Sequence, residues 1–381
     1  MTPRDRPPQP PPSPPPPQSH PTIEVMVVDD SAVMRQRLKA IIESDPTFRV
    51  VLASDPYEAV AILSKSVPGV IVLDVEMPRM DGLTFLRKLM RQHPMPVVLC
   101  TTQAERAVTA LEMGAVEVIA KPDWTNASRL NEWSASFVET IRNAARAGRL
   151  PVRDDRAASP GGEARHSADV ILPRVPFRPS PSITDRVIAV GVSTGGVQAI
   201  QQLLTGFPPG CPGIVIVQHM PPDFTQAFAT RLNNDPKIQV EVAEARHHEP
   251  IVVGRALVIP GSAHGLIRRA GTGYRVELAD GPPVCRHRPS VDVLFRSAAQ
   301  AAGPLAAGVI MTGMGDDGAG GLLEMREAGS LTIAQNEATS VVFGMPREAI
   351  RRGAAKYVVP LDAIASTVMS WHANPDAGTW F

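Results

Sequence analysis

Short apolar runs alternate with stretches whose apolar residues recur every three or four positions, and this alternation occurs twice along the chain. In the first half, Glu24–Val28, Arg49–Ala53, Val70–Leu73, Val97–Cys100 and Glu117–Ala120 read as strands. Between them Ala32–Glu43, Tyr57–Ser64, Leu83–Arg91 and Arg106–Met113 carry helical spacing, and a last helix is expected near Leu130–Ala145. Runs that stay apolar at successive positions suit strands buried on both faces, and strands separated by helices imply a parallel sheet. From Val187 the pattern returns, with candidate strands at Val187–Val190, Ile214–Gln218, Ala256–Ile259, Ala306–Thr312, Ser330–Ala334 and Lys356–Val359. The expected fold class is α/β, with two parallel-sheet domains.

Proline marks where the domains stop. Of 39 prolines, many crowd into Pro7–Pro21, and others punctuate the Arg-, Ser- and Gly-rich stretch that follows the first domain. Neither segment has the apolar content to build a core. The expected organisation is a disordered tail at 1–21, a domain at 22–146, a linker at 147–184 and a second domain at 185–381. A chain of 381 residues is long enough for two cores. Its 38 basic and 38 acidic residues balance, so no global charge points to nucleic acid or an anionic membrane. Cys100, Cys211 and Cys285 lie far apart without metal-type spacing and read as free thiols of a reducing compartment. No apolar stretch is long enough to span a bilayer and no signal-peptide core is present, so a cytoplasmic, monomeric protein without membrane insertion is expected.

In parallel sheets functional groups gather at the carboxyl ends of the strands. Asp29 and Asp30 close the first candidate strand, Asp74 the third, Thr101 the fourth and Lys121 the fifth. Any one of the aspartates could be a helix cap. Three carboxylates at one point call for a cation, and all-oxygen ligation suits Mg²⁺. Lys121 and Thr101 would then stabilise a phosphoryl group carried by Asp74. This quintet, together with Asp74-Val75-Glu76-Met77-Pro78-Arg79-Met80-Asp81-Gly82 and Lys121-Pro122, resembles the receiver domain of two-component response regulators, a flavodoxin-like fold. The resemblance implies phosphorylation of Asp74 by a histidine kinase and Mg²⁺ held by Asp30 and Asp74 with help from Asp29. It also implies that Thr101 and Lys121 form the switch pair, and that a cis peptide precedes Pro122.

In the second domain Ser193 ends an apolar run and is followed by Thr194-Gly195-Gly196. A hydroxyl on a tight turn into a helix sits beside unpaired N–H groups and the positive end of a helix dipole. Taken alone, the turn suits a phosphate as well as a nucleophile. His219 and Asp317 also lie just beyond candidate strands, so a nucleophile, a base and an orienting acid can meet at one sheet edge. Gly191-Val192-Ser193-Thr194-Gly195-Gly196, Gln218-His219-Met220-Pro221, His287-Arg288-Pro289-Ser290-Val291-Asp292, Thr312-Gly313-Met314-Gly315-Asp316-Asp317-Gly318 and Gly344-Met345-Pro346 closely resemble the chemotaxis protein-glutamate methylesterases, the CheB family.

That resemblance covers the second domain, expected as a doubly wound methylesterase fold. It implies hydrolysis of γ-glutamyl methyl esters on chemoreceptors to glutamate and methanol, and deamidation of certain receptor glutamines, with no cofactor for the esterase step. It makes Ser193 the nucleophile, His219 the general base and Asp317 the acid that fixes the imidazole. Thr194 is expected to position His219, and the backbone amides of His219 and Met314 to form the oxyanion hole. The chemotaxis histidine kinase and the chemoreceptors are the expected partners.

Two positions depart from the family pattern: Asp316 stands where Asn is usual, and Val192 where Ala is common. Two adjacent acids therefore compete for the orienting role, and the motif register favours Asp317. Arg286, His287 and Arg288 read as a solvated basic loop or as a steering patch for an acidic receptor surface. His247-His248 with Glu244 and Glu249 reads as a polar loop rather than a metal site. Trp380-Phe381 reads as a disordered end or a docking tag. Two other classes compete with the hydrolase: a regulated binding module without catalysis, and a nucleotide-binding output domain, whose Gly-rich turn lacks the full dinucleotide pattern.

Overall fold

The computed structural model describes residues 22–147, 166–180 and 184–374. The Pro-rich tail, most of the expected linker and Trp380-Phe381 lie outside the described residues. The first domain runs β1 (Ile23–Val28), α1 (Ala32–Ile42), β2 (Phe48–Ala53), α2 (Pro56–Leu63), β3 (Val70–Leu73), α3 (Gly82–Gln92), β4 (Val97–Thr101), α4 (Ala104–Glu112), β5 (Glu117–Ala120) and α5 (Ala127–Ala147). Its sheet is wholly parallel in the order β2-β1-β3-β4-β5. Local chemistry sets the helix starts: Asp55 caps α2 with Pro56 next to it, and Asp81 caps α3 through the amides of Leu83 and Thr84. Alternate residues of β1 serve opposite faces, Val25 and Val27 packing with Leu38, Phe137 and Ile141, and Met26 and Val28 with Phe85 and Leu86. Both faces are covered, so no polar alternation shows in the sequence.

The second domain begins with β6 (Val187–Val192), α6 (Gly196–Thr205), β7 (Gly213–Gln218), α7 (Pro222–Asn233), β8 (Glu241–Glu244), β9 (Pro250–Ile251) and β10 (Arg255–Val258). It continues through β11 (His264–Ala270), β12 (Gly273–Ala279), α8 (Val291–Ala301), β13 (Ala306–Ile310), α9 (Ala319–Glu327), β14 (Leu331–Gln335), α10 (Met345–Arg351), β15 (Tyr357–Val359) and α11 (Leu361–Ala373). Seven parallel strands form a sheet in the order β15-β14-β13-β6-β7-β10-β8. Ile188 and Val190 of β6 face α6 and α11, while Val187 and Ala189 face the buried helix α8. The chain adds strands to one side of β6 first and to the other side later. A crevice therefore opens above the carboxyl ends of β13, β6 and β7, the switch point where such folds place their sites.

Three features were not expected from the sequence. A separate antiparallel sheet, β11-β12-β9, covers the α8 side of the domain. Residues 166–180, inside the stretch read as a linker, pack on the second domain: Ala168 and Leu172 are buried with Leu266, Val284 and Val293. Arg296 binds Asp169, the Leu172 carbonyl and Glu324 at 2.8, 3.0 and 2.7 Å. The cis peptide expected before Pro122 is not found; among the described residues the cis bond is Arg288-Pro289. Cys100 and Cys211 are buried free thiols, pushed up to about 12 and about 11 chiefly by burial, so neither is a reactive thiolate. Among the described residues no helix is long and apolar enough to cross a membrane.

Helix α4 of the first domain packs against α6 and α7 of the second domain. Leu111 and Ala115 belong to the same continuous apolar cluster as Val197, Leu203 and Phe228. Gln198 donates to the Leu111 carbonyl, and Arg231 pairs with Glu112.

Candidate active site

Two clusters of polar groups stand at strand ends, one in each domain. In the first, Lys121 Nζ lies 2.7 Å from Asp74 Oδ2 and 3.3 Å from Asp29 Oδ2. Asp74 Oδ1 accepts from the amides of Val75 and Glu76, and Asp29 Oδ1 from that of Ser31. Thr101 is fully buried and its Oγ1 accepts from the Gln103 amide at 3.1 Å. Asp29, Asp30 and Asp74 offer ligand atoms within 4.8 Å of one another. Burial and the nearby Asp74 charge raise the Asp29 carboxyl, although Lys121 opposes them. The oxygen donor set fits Mg²⁺, which would hold the acids together and neutralise an anion arriving at Asp74.

The second cluster is built on the central strands. Ser193 follows β6, and the turn after it needs Gly195 at φ 77°, where a Cβ would come within 2.6 Å of Val341. Gly313, after β13, lies against Ser193: a Cβ there would come within 2.8 Å of the serine Cβ. His219 follows β7, and Asp317 lies in the turn between β13 and α9. His219 Nε2 and Asp317 Oδ2 are 2.8 Å apart. An ionised carboxylate can only accept, so the imidazole carries its proton on Nε2. Nδ1 is buried and has no partner among the described residues, which leaves it as an acceptor. No hydrogen bond joins Ser193 Oγ to His219 among the described residues.

Asp317 is almost wholly buried. Oδ1 accepts from Ser290 Oγ at 2.8 Å and from the Asp292 amide at 3.0 Å, and Oδ2 also accepts from the Val291 amide at 2.8 Å. Burial opposes its charge, but the His219 hydrogen bond and these donors hold the carboxyl below the ordinary range. Asp316, by contrast, points to Arg352 at 2.7 Å on a part-exposed surface. Of the two adjacent acids, the structure brings Asp317 to the histidine.

Two expected details differ. The His219 amide donates to the Val192 carbonyl at 3.1 Å, extending the β6–β7 ladder, so it is not free for an oxyanion. Among the described residues Thr194 Oγ1 makes no hydrogen bond to His219; it donates to Glu117 Oε2 of the first domain at 2.9 Å. The Met314 amide donates to no group among the described residues and remains available, as do those of Thr194 and Gly195.

Sequence reasoning missed His287. Its ring stacks on His219 with centroids 3.7 Å apart and planes within 7°. Nδ1 bonds the Cys285 carbonyl at 2.8 Å. Burial, followed by the neighbouring His219, keeps this imidazole well below its ordinary range and therefore neutral. It is part of the site and not a solvated basic loop. Ser290 was also missed as an Asp317 partner, although both residues stand in the quoted motifs. His247 and His248 stack on each other, and His247 Nδ1 accepts from the Leu278 amide. No metal-type cluster among the described residues includes them.

Known protein families match both domains. Residues 25–130 match the family described as response regulator receiver domain, and residues 188–368 match the one described as CheB methylesterase. The chain is 53% identical over 352 residues to protein-glutamate methylesterase/protein-glutamine glutaminase 2 of Xanthomonas campestris pv. campestris, covering 91% of this chain and 99% of the relative. It is 55% identical over 347 residues to protein-glutamate methylesterase/protein-glutamine glutaminase 5 of Anaeromyxobacter dehalogenans, covering 90% and 94%. Among solved structures, the CheB methylesterase catalytic domain of Thermotoga maritima is 32% identical, with 49% of this chain and 99% of that one covered and a TM-score of 0.48. With relatives this similar over nine-tenths of its length and both domain families matched in order, the chain belongs to the CheB methylesterase family, with a response regulator receiver domain at its N-terminus.

Proposed function

We propose that the chain is a serine hydrolase that removes methyl groups from γ-glutamyl methyl esters of chemoreceptors, releasing methanol, and deamidates receptor glutamines, under control of its receiver. The observation that carries this reading is the His219–Asp317 pair, its histidine following the strand next to the one that ends at Ser193, which leaves a buried imidazole nitrogen without a partner among the described residues. Ser193 Oγ attacks the ester carbonyl while His219 Nδ1 takes the hydroxyl proton. Asp317 holds Nε2–H, fixing the tautomer and stabilising the imidazolium that forms. The developing oxyanion is met by amides of the Ser193 turn and of Met314. The proton then passes from His219 to the departing methoxide, giving methanol and a glutamyl ester on Ser193. Water, deprotonated by the same imidazole, releases glutamate. With a glutamine substrate the leaving group is ammonia, and the remaining steps are the same.

Regulation follows from the docked receiver. Its α4 packs on α6, the helix that follows Ser193, and the start of β5 reaches Thr194, a placement that would obstruct a bulky protein substrate. Phosphorylation of Asp74 by a chemotaxis histidine kinase, with Mg²⁺ held by Asp29, Asp30 and Asp74, would draw Thr101 and Lys121 toward the phosphoryl group. That changes the surface around β4, α4 and β5, which is the surface that docks, and shifts the population toward an undocked state. Methanol release from methylated receptor preparations, with and without a small phosphodonor, tests both parts. Ser193→Ala should lose several orders of magnitude while remaining folded. If a folded Ser193→Ala chain retained the wild-type rate, the hydrolase reading would give way to that of a binding module.

A further inference from the structure

We infer that Glu117 of the receiver acts as an internal mimic of the reaction product, a glutamate carboxyl presented to the Ser193 turn by the docked domain. This inference rests on the hydrolase reading above and deepens it, because it concerns how the same site is kept silent.

Glu117 is the first residue of β5 and lies at the junction of the two domains. Its Oε2 accepts from Thr194 Oγ1 at 2.9 Å, from the residue next to the nucleophile. Glu117, Ser193, Gly195, Gly196 and Gln218 line one gap of about 10 Å³. A space of that size barely admits a single water, so no substrate side chain can share it with Glu117. The receiver is thus not only a distant cover. It places the side chain that the reaction produces at the position from which a substrate chain must be excluded.

The chemistry of the gap supports the match. The substrates are uncharged, an ester or a primary amide, and a site that receives them has no need of a cation. No charged side chain other than Glu117 lines the gap, and the ion pair of Glu112 with Arg231 is not part of it. Burial pushes the Glu117 carboxyl up to about 7, although Thr194 donates to it. Near neutral pH the group therefore spends much of its time as an uncharged acid, close in shape and polarity to the amide and the ester.

Gln218 adds a second, independent sign of a ligand site. It is 2% exposed, and its Nε2 donates to the carbonyls of Ser193 and His219 at 3.0 and 3.1 Å. Those two acceptors fix the orientation of the amide, and its Oε1 is left buried without a donor. An unpartnered acceptor lining the gap suits a substrate amide N–H or a protonated acid. Thr194 and Gln218 are accordingly assigned to hold the polar end of the glutamyl or glutaminyl side chain, and Glu117 occupies that subsite in the closed chain.

The test uses the unphosphorylated full-length chain and a small soluble probe, glutamate γ-methyl ester, with methanol release as the readout. Glu117→Ala should raise the basal rate roughly tenfold, the change expected when a tethered competitor worth about 1.4 kcal/mol is removed. Glu117→Gln should stay near the wild-type rate, since a glutamine is itself shaped as a substrate. Glu112→Ala, which breaks the neighbouring interdomain ion pair, should raise the rate far less than Glu117→Ala. Equal basal rates for wild type and Glu117→Ala, while phosphodonor still stimulates both, would overturn product mimicry and leave the hydrolase reading standing. So would equal gains in Glu117→Ala and Glu117→Gln, or in Glu117→Ala and Glu112→Ala, because either would show that only docking had loosened. No methanol from any variant even with phosphodonor would overturn the hydrolase reading and the mimicry with it.

Discussion

At the scale of single residues, the site depends on which atoms of each side chain are already committed. Asp317 has both oxygens occupied by the histidine, Ser290 and two amides, so Asp317→Asn presents an N–H where acceptors are required. That variant should lose on the order of 10⁴ in kcat in a methanol-release assay. Asp316→Asn weakens a part-exposed contact with Arg352 and should change the rate little. His287 supplies a neutral aromatic face against the ring of His219. His287→Ala should reduce kcat/KM by about 2- to 10-fold, the range of one aromatic contact, and His287→Phe should recover most of it by keeping the stack. Strand-end residues such as Ser193, His219, Asp317 and Asp74 were legible in the sequence because a polar residue ending an apolar run has few structural reasons to be there. Glu117 and His287 were not legible. Each reads locally as an ordinary polar position, and each gains its meaning from a neighbour that is distant in the chain.

At the scale of elements, most strands and helices followed from apolar runs and helical spacing, since both sheets are covered on both faces. The antiparallel β11-β12 hairpin escaped because its strands carry Arg268, Arg269, Arg275 and Glu277, whose charged heads reach the surface while Leu266, Ile267, Tyr274 and Val276 face inward. The packed segment 166–180 escaped because its apolar residues are broken up by Pro and Arg and follow neither a helix nor a strand period; Ala168 and Leu172 anchor it with help from the Asp169–Arg296 pair. A catalytic fragment beginning at Asp185 should therefore melt several degrees below one beginning at His166, as scanning calorimetry would show. The difference comes from uncovering Leu266, Val284 and Val293 and from leaving nearly buried Arg296 with Glu324 as its remaining carboxylate partner. Equal melting temperatures would mean that the segment rests on the domain without stabilising it.

At the scale of the whole molecule, docking should depend on pH through Glu117. Its carboxyl is raised from an ordinary 4.5 to about 7 in the docked state, so the docked chain binds this proton more tightly than the open chain does. The sign follows from linkage. Docking is strongest in acid below the ordinary value, weakens as pH rises toward about 7, and is constant in this respect above it. No other charged group lines the gap, and the neighbouring Glu112 and Arg231 are paired with each other across the interface. Interdomain distance measured by fluorescence transfer between labels on the two domains should lengthen across that window in wild type and stay flat in Glu117→Gln. In the same measurement Asp74→Asn should not respond to phosphodonor, whereas wild type should open.

The position of α6 has one more consequence. The helix that starts beside Ser193 is also the surface on which the receiver rests, with Gln198 and Val197 meeting it a single turn beyond Ser193. On the proposed mechanism, receiver and substrate would then compete for one address. A tethered competitor of this kind acts as if present at roughly millimolar concentration, set by its tether and not by the cell. A substrate displayed more densely than that would gain access without any phosphate on Asp74, and a sparse one would need nearly every receiver to be modified. The degree of phosphorylation required is then not a constant of the enzyme. It is a threshold that falls as the substrate around it becomes more crowded.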